Sequence, residues 1–381
     1  MPWKEVSVMS QRKEFVMLAQ GEDSNIMSLC QRFGISRVSA YKWLSRYREL
    51  GEAGLTDRPR TPHHSPAHTK PALENAVLQV RDAHPAWGPR KIRRYLQRHG
   101  QEGLPAPSTI WAILRREGRI SPAEAEKHRP FVRFERSAPN ELWQMDFKGH
   151  FALTQGRCYP LTVLDDHSRY ALGIEACANE QGPTVKAHLS LAFERYGLPE
   201  AMLMDNGNPW GCQGQANYST FEVWLMRLGI KVYHGRAFHP QTQGKEERFH
   251  RTLMAEVVRG RSFSDLAQCQ MAFDDWRPVY NLERPHEALG MEVPAERYRI
   301  SPRPLPKSLL PIEYGPDDLV RRVQGDGTIT LHSRPFRIGI AFKGLPVGLR
   351  ATAQDGIWDV FFMTHHVTQL DLTSPDGAAD V

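Results

Sequence analysis

The chain has 381 residues, 40% of them hydrophobic and 24% charged, and a formal net charge of +6. That length predicts about two to four domains, and no run reaches the ~18 apolar residues of a membrane helix. The N-terminal MPWKEVSVMSQRKEF lacks the apolar stretch of a signal peptide, and Cys30, Cys158, Cys177, Cys212 and Cys269 are scattered, never in C-x-x-C spacing, which excludes a disulfide framework and a zinc site and predicts a cytoplasmic protein without a membrane partner.

Charge is uneven along the chain. Residues 1–138 carry 24 lysines and arginines against 14 acids, and the remainder 25 against 29. A basic front half predicts a polyanionic partner, most simply nucleic acid.

In chain order, the first predicted elements are helices over 24–34 and 36–50, joined by the short turn GIS. Ser36 is a candidate N-cap. On a helical wheel Ala40, Tyr41, Trp43, Leu44 and Tyr47 share one arc, and Ser39, Lys42 and Arg46 lie among the residues opposite. This is a helix-turn-helix pattern whose second helix enters a major groove, with Ser39, Lys42 and Arg46 as candidate base readers. Residues 1–55 are expected as this domain and 56–70 as a linker.

The pattern repeats over 71–84, 87–100 and 107–118, predicting a second helical DNA-binding domain at 71–118. Arg90, Lys91, Arg93 and Arg94 are its candidate DNA contacts. His63, His64, His68, His84 and His99 lie nearby without a cysteine pair, so a zinc domain is not expected. Residues 119–138 read as a charged linker.

From 139 to about 300 the pattern becomes α/β. Strands are expected over 141–151 and 159–176, the latter a hairpin around DDHSR, and again at 200–207 and 230–235. Helices are expected over 184–197, 218–229 and 246–260. Three strands followed by alternating helix and strand predict a mixed sheet flanked by helices. SPRPLPKSLLPIEYGP (301–316) is a proline-rich connector, 317–372 reads as a small SH3-like β-barrel with turns at GDG and DG, and 373–381 as a disordered tail.

Three carboxylates occupy comparable places. Asp146 closes the apolar LWQM, Asp205 closes AMLM, and Glu247 lies near the first turn of the last core helix. Aspartate is depleted within strands, so acids at these ends, beside a DNA-reading module, suggest a cluster for Mg²⁺, a hard cation that prefers oxygen ligands. Two such ions can activate an attacking oxygen and stabilise a leaving one at phosphorus. Asp165 and Asp166 could supply a further carboxylate, but hairpin turns favour aspartate for conformational reasons and they read first as turn residues. His239, Gln241, Lys245, Arg248 and Arg251, around the start of the last helix, are candidate DNA contacts. Arg284 and His286 fit either DNA contact or packing.

The segments ELWQMDF, LMDNG, HPQTQGKEERFHRTL and YNLERPHEALGMEVPAER, in that order, resemble blocks of the integrase-core transposases of bacterial insertion sequences, and the first three also resemble retroviral integrases. The resemblance implies a ribonuclease-H-like core at 139–300 and a DDE triad on Asp146, Asp205 and Glu247. It further implies two Mg²⁺ ions (Mn²⁺ as substitute) and action on double-stranded DNA, both the element's terminal repeats and the target. A homo-oligomer, at least a dimer, would act in the bacterial cytoplasm in association with the nucleoid. The chemistry implied is 3′-end cleavage followed by strand transfer. Two departures stand out: 41 residues separate Asp205 from Glu247, more than is usual, and Glu246 occupies a position often apolar in relatives.

The wheel places Phe249, Leu253 and Val257 on the buried arc of the last helix, with Glu246 over its middle and Glu247 about 100° away. The family block, not the wheel, makes Glu247 the expected ligand. Two alternatives remain open on the residues alone, a DNA-binding regulator with an inactive core and a ribonuclease-H-type nuclease for RNA–DNA hybrids.

Overall fold

In a computed structural model of the chain, the residues described are 7–21, 24–57, 69–120, 135–205, 207, 210, 218–234 and 244–374. They fall into two units, within residues 1–68 and 69–381.

In the first unit, α1 (Val8–Ala19), α2 (Ile26–Phe33) and α3 (Arg37–Leu50) each begin at a side-chain cap. Ser7, Asn25 and Ser36 accept backbone N–H bonds from the first turns, which satisfies donors a helix start leaves unpaired. Gly34 ends α2 at φ 62°, a left-handed conformation that suits glycine. Phe15, Val16, Cys30, Ala40, Trp43 and Leu55 form the core.

The second unit starts with α4 (Pro71–Ala83), α5 (Pro89–Arg98) and α6 (Pro107–Arg116). Each opens on proline, whose missing N–H costs nothing there. Val77, Trp87, Ile92, Ile110, Ile113 and Leu114 make their core.

The mixed sheet follows from β1 (Trp143–Phe147), β2 (Phe151–Ala152), β3 (Arg157–Asp165), β4 (Ala171–Cys177), β5 (Ala201–Met204) and β6 (Lys231–His234), with α7 (Gly182–Tyr196) and α8 (Thr220–Arg227) interleaved. β1 pairs antiparallel with β3 and parallel with β5; β4 and β2 pair antiparallel with β3, and β6 parallel with β5. One face carries Trp143, Met145, Leu161 and Val163 against α7 and α8. The other carries Leu164, Ala171 and Ile174 against α9 (Gly244–Leu253) and α10 (Leu266–Pro278), through Phe249, Leu253 and Phe273. Two π-helical turns, Met254–Val258 and Val279–Glu283, extend α9 and α10, and α11 (Pro294–Arg297) follows.

The C-terminal strands differ from expectation. β10 (Pro346–Ala351), β11 (Ile357–Phe362) and β12 (His365–Asp371) form with β7 (Leu319–Arg322) an open antiparallel sheet in the order β12-β11-β10-β7. β8 (Thr328–Leu331) and β9 (Arg334–Arg337) make a separate hairpin, turned by His332 and Ser333 at φ 47° and 65°. A closed barrel needs a continuous hydrogen-bonded circuit. Among the described residues the four-residue strands β8 and β9 pair with each other and leave the circuit open. One apolar core still joins the pieces and takes in Val223 and Met226 of α8.

Candidate active site

Asp146 and Asp205 meet because β1 and β5 are parallel neighbours. Gln144 pairs with Leu203, and continuing that register two residues onward brings Asp146 opposite Asp205. Across the antiparallel side, Asp146 pairs with Thr162 of β3, so both side chains lie on the face that α9 covers. Burial, and next the charge of Asp205, push the Asp146 carboxyl up to about 7. Like charges at short range disfavour double ionisation until a cation offsets them.

Behind Asp146 lies a buried polar group. The Thr162 hydroxyl is within hydrogen-bonding distance of the Asp146 carbonyl oxygen (3.1 Å), Glu246 Oε2 (3.0 Å) and His250 Nε2 (2.7 Å). His250 Nδ1 stands 3.9 Å from Asp146 Oδ2. Burial, then the Lys148 charge, hold the imidazole down to about 3, so it is neutral and has one N–H to give. Burial and then Asp146 hold the Glu246 carboxyl well above its ordinary range, against the Thr162 hydrogen bond. Its Oε1 has no hydrogen-bond partner among the described residues.

Thus Glu246, only 1% exposed, is the α9 glutamate that neighbours Asp146, whereas Glu247 is exposed in the same first turn. The cause is geometric. Phe249 and Leu253 turn their arc onto the sheet, and position 246 shares that arc while 247 lies about 100° round it.

Asp205 is held from its own turn. Gly207 N donates to Asp205 Oδ1 (3.0 Å), and the Asp205 carbonyl oxygen lies 2.9 Å from His234 Nδ1, whose Nε2 faces Glu222 at 2.7 Å. A Cβ on residue 207 would stand 3.1 Å from Asp205 Oδ2, so glycine keeps that carboxylate open.

Among the described residues no three His, Cys, Asp or Glu side chains stand together as a preformed metal cage. The donor set nonetheless fits a divalent cation. Asp146 and Asp205 offer hard oxygens on one edge, their mutual repulsion is what a cation relieves, and Gly207 leaves room.

The candidate DNA contacts separate. Lys245 turns inward to an ion pair with Asp166, with its amine brought down to about 8, first by burial and then by Arg169. Asp166 also takes Gln144 Nε2 and the Arg136 N–H, and Asp165 takes the N–H groups of Asn140 and Ser168; both acids shape the turn. Arg248 and Arg251 are exposed and line a cleft of about 160 Å³ with Ala86, Thr252, Ala255, Glu256 and Arg284. Arg284 is buried on Glu256 (2.9 Å) and His286 is buried beside it, a packing arrangement. His239 and Gln241 lie outside the described residues.

On α3, Lys42 is exposed, but Ser39 and Arg46 are half-buried, and Arg46 lies over Trp43. Tyr41, expected on the buried arc, is 60% exposed, and Arg37, Val38 and Ser45 share its open surface. The wheel missed this because Ala40 and Trp43 are the α3 residues buried in the small core, with Leu44 and Tyr47 packed at its margin. On α5, Arg93 donates to the Pro105 carbonyl and Arg94 to that of Met291, Lys91 is half-buried, and Arg90 is exposed, 3.9 Å from Glu287.

The chain is similar to several known protein families and proteins. Residues 136–240 and 228–294 match integrase core domain models, 39–114 a homeodomain-like domain, 11–63 a helix-turn-helix domain, and 318–376 the C-terminal domain of IS481 family transposases. A 31.7 kDa protein of insertion element IS407 from Burkholderia multivorans is 28% identical over 239 residues, 60% of this chain and 82% of that one. A 39.2 kDa protein of insertion element IS476 from Xanthomonas euvesicatoria is 26% identical over 274 residues, 70% and 76%. Among solved structures, a simian T-cell lymphotropic virus intasome in complex with PP2A regulatory subunit B56 gamma matches at 16% identity and a TM-score of 0.39, over 74% of this chain and 91% of that one.

Proposed function

For a chain that is a bacterial insertion-sequence transposase with an integrase-like core, we propose binding to the terminal inverted repeats of its element, metal-dependent 3′-end cleavage, and strand transfer into target DNA. The observation that carries this reading is the meeting of Asp146 and Asp205 at one edge of the mixed sheet, under the first turn of α9.

In this reading water attacks a phosphodiester at the element end. The P–O3′ bond breaks, the element strand keeps a 3′-hydroxyl and the flanking strand a 5′-phosphate. That hydroxyl then attacks a target phosphodiester, forming a new 3′–5′ linkage while the target's own 3′-oxygen leaves as a hydroxyl. Two Mg²⁺ ions, or Mn²⁺, would supply activation of the attacking oxygen and neutralisation of the leaving one. Asp146, Asp205 and Glu247 would hold them. Glu247 is preferred to Glu246 because a ligand shared with substrate phosphate must reach solvent. Glu246, enclosed with Thr162 and His250, is placed to position Asp146 from behind. The helix-turn-helix units add salt-dependent phosphate affinity and base selectivity through α3, and bringing two ends together calls for at least a dimer on DNA.

The test is strand transfer of a labelled element end with Mg²⁺ or Mn²⁺, and with EDTA as control, after equal end binding is established. Glu247→Gln is expected to lower joining by about a hundredfold or more, and Glu246→Gln by roughly tenfold with a raised Mg²⁺ requirement. If Glu246→Gln is the dead variant and Glu247→Gln joins DNA, Glu246 is the third ligand. Wild type that binds ends but never joins them would sink the enzymatic reading.

A further inference from the structure

Helix α5 has five basic residues in ten positions and by composition should face DNA, yet Arg94 and Arg98 reach core residues and the largely exposed Arg90 approaches one. Arg94 Nε donates to the Met291 carbonyl at 3.4 Å, Arg98 forms an ion pair with Glu296, and Arg90 stands 3.9 Å from Glu287. Lys91 lies near enough to Arg284, Glu256 and Glu287 to feel their charges. Val279 adds apolar contact to the core of α4, α5 and α6. Apart from Glu256, these partners lie within residues 279–296, just beyond α10. Each exposed ion pair is weak alone, but several directional contacts around one apolar contact define a single orientation.

The third helix of the same unit is open. Ser108, Thr109, Trp111, Ala112 and Arg115 of α6 face solvent, with Arg115 over the Trp111 ring at 5.2 Å. Hydroxyls, a cation and an exposed aromatic on the last helix of a three-helix unit form a surface suited to a major groove.

We infer that α5 is a joint and not a DNA reader: it locks the second helical unit to the core, so that duplex DNA held by α6 reaches Asp146 and Asp205 at a fixed number of base pairs. This rests on the transposase reading for its DNA part. The joint itself can be tested without DNA.

Two measurements decide it, on full-length protein. In the first, amide hydrogen exchange is followed across residues 279–296 in wild type, Arg90→Glu/Arg98→Glu, and that pair combined with Glu287→Arg/Glu296→Arg. The double reversal is expected to speed exchange about tenfold, and the compensating pair to restore it. Unchanged exchange in the double reversal would overturn the joint. In the second, the 3′ cut on element-end DNA is mapped to the nucleotide. Wild type should cut at one position, the double reversal should bind ends equally but cut at scattered positions or about tenfold less, and the four-residue variant should recover the single cut. A double reversal that cuts at the wild-type place and rate would overturn the fixed spacing. If wild type cuts no DNA, the functional reading falls while the exchange result still decides the joint.

Discussion

At the scale of single residues, the site's logic rests on which atoms are enclosed. The two aspartates were legible because LWQM and AMLM each end an apolar run on an acid, and a strand interior disfavours that residue. The wheel also placed Glu246 over the arc of Phe249, Leu253 and Val257, and it is buried there. What no local pattern could supply is its partner, since Thr162 lies 84 residues away on strand β3. Gly207 carries a prediction of its own. Its Cβ would stand 3.1 Å from Asp205 Oδ2, so Gly207→Ala should shrink the thermal stabilisation given by Mg²⁺ or Mn²⁺ and leave the metal-free melting temperature nearly unchanged. Differential scanning calorimetry with and without metal checks it. Lys91 gives a pH signature. Burial, then Arg284, brings its amine from 10.5 down to about 7. Below pH 7 both folded and unfolded chains carry the proton, and the folded state bears the full penalty. Between about 7 and 10.5 only the unfolded chain holds it, so this contribution makes stability rise with pH. Lys91→Met should therefore stabilise the protein by on the order of 1–2 kcal/mol near pH 6.5, with the gain vanishing towards pH 10.5; urea titrations across that range read it.

At the scale of elements, helices were legible where caps and prolines marked their starts. Ser36 caps α3, Pro107 opens α6, and Gly118 follows at φ 68°. The faces of those helices were less legible. Five cations on α5 look like a DNA-facing surface in sequence, because charge density alone does not reveal that Met291 and Glu296 will be neighbours. Likewise Tyr41 counts as apolar on a wheel, and only the small size of the Phe15–Trp43–Leu55 core leaves it outside. Of the residues expected on the polar face of α3, Lys42 is exposed while Ser39 and Arg46 are half-buried, and Arg37 and Tyr41 are exposed beside it. The π-helical turn after α9 was not foreseen. Its Glu256 receives Trp276 Nε1 at 3.0 Å and Arg284 Nε at 2.9 Å, and such turns are rare enough that periodicity of 3.6 misses them.

At the scale of the whole molecule, composition separated a basic front from an α/β core and a β-rich end. It did not reveal that the second helical unit and the C-terminal strands both attach to that core. α8 has two apolar faces: Phe221 and Leu225 pack under the mixed sheet, Val223 and Met226 against the C-terminal strands. A chain ending at residue 316 would expose that second face to water, at ~25 cal/mol per Å² of apolar surface. Such a truncation should melt lower and aggregate more readily than the full chain, as thermal unfolding and light scattering would report; equal stability would mean the strands are a mere appendage. The barrel expected there failed for a topological reason, since turn signals and alternating residues announce hairpins but do not say whether the last strand finds the first.

Strand β1 has one neighbour running with it and one running against it, and the two ladders must agree on a single alignment. A slip of one residue against either would turn Asp146 to the opposite face, bury it among Leu161 and Val163, and bring Met145 to the edge where the acid belongs. The address of Asp146 is thus written twice in main-chain hydrogen bonds, and side chains around it can vary widely before that address is lost.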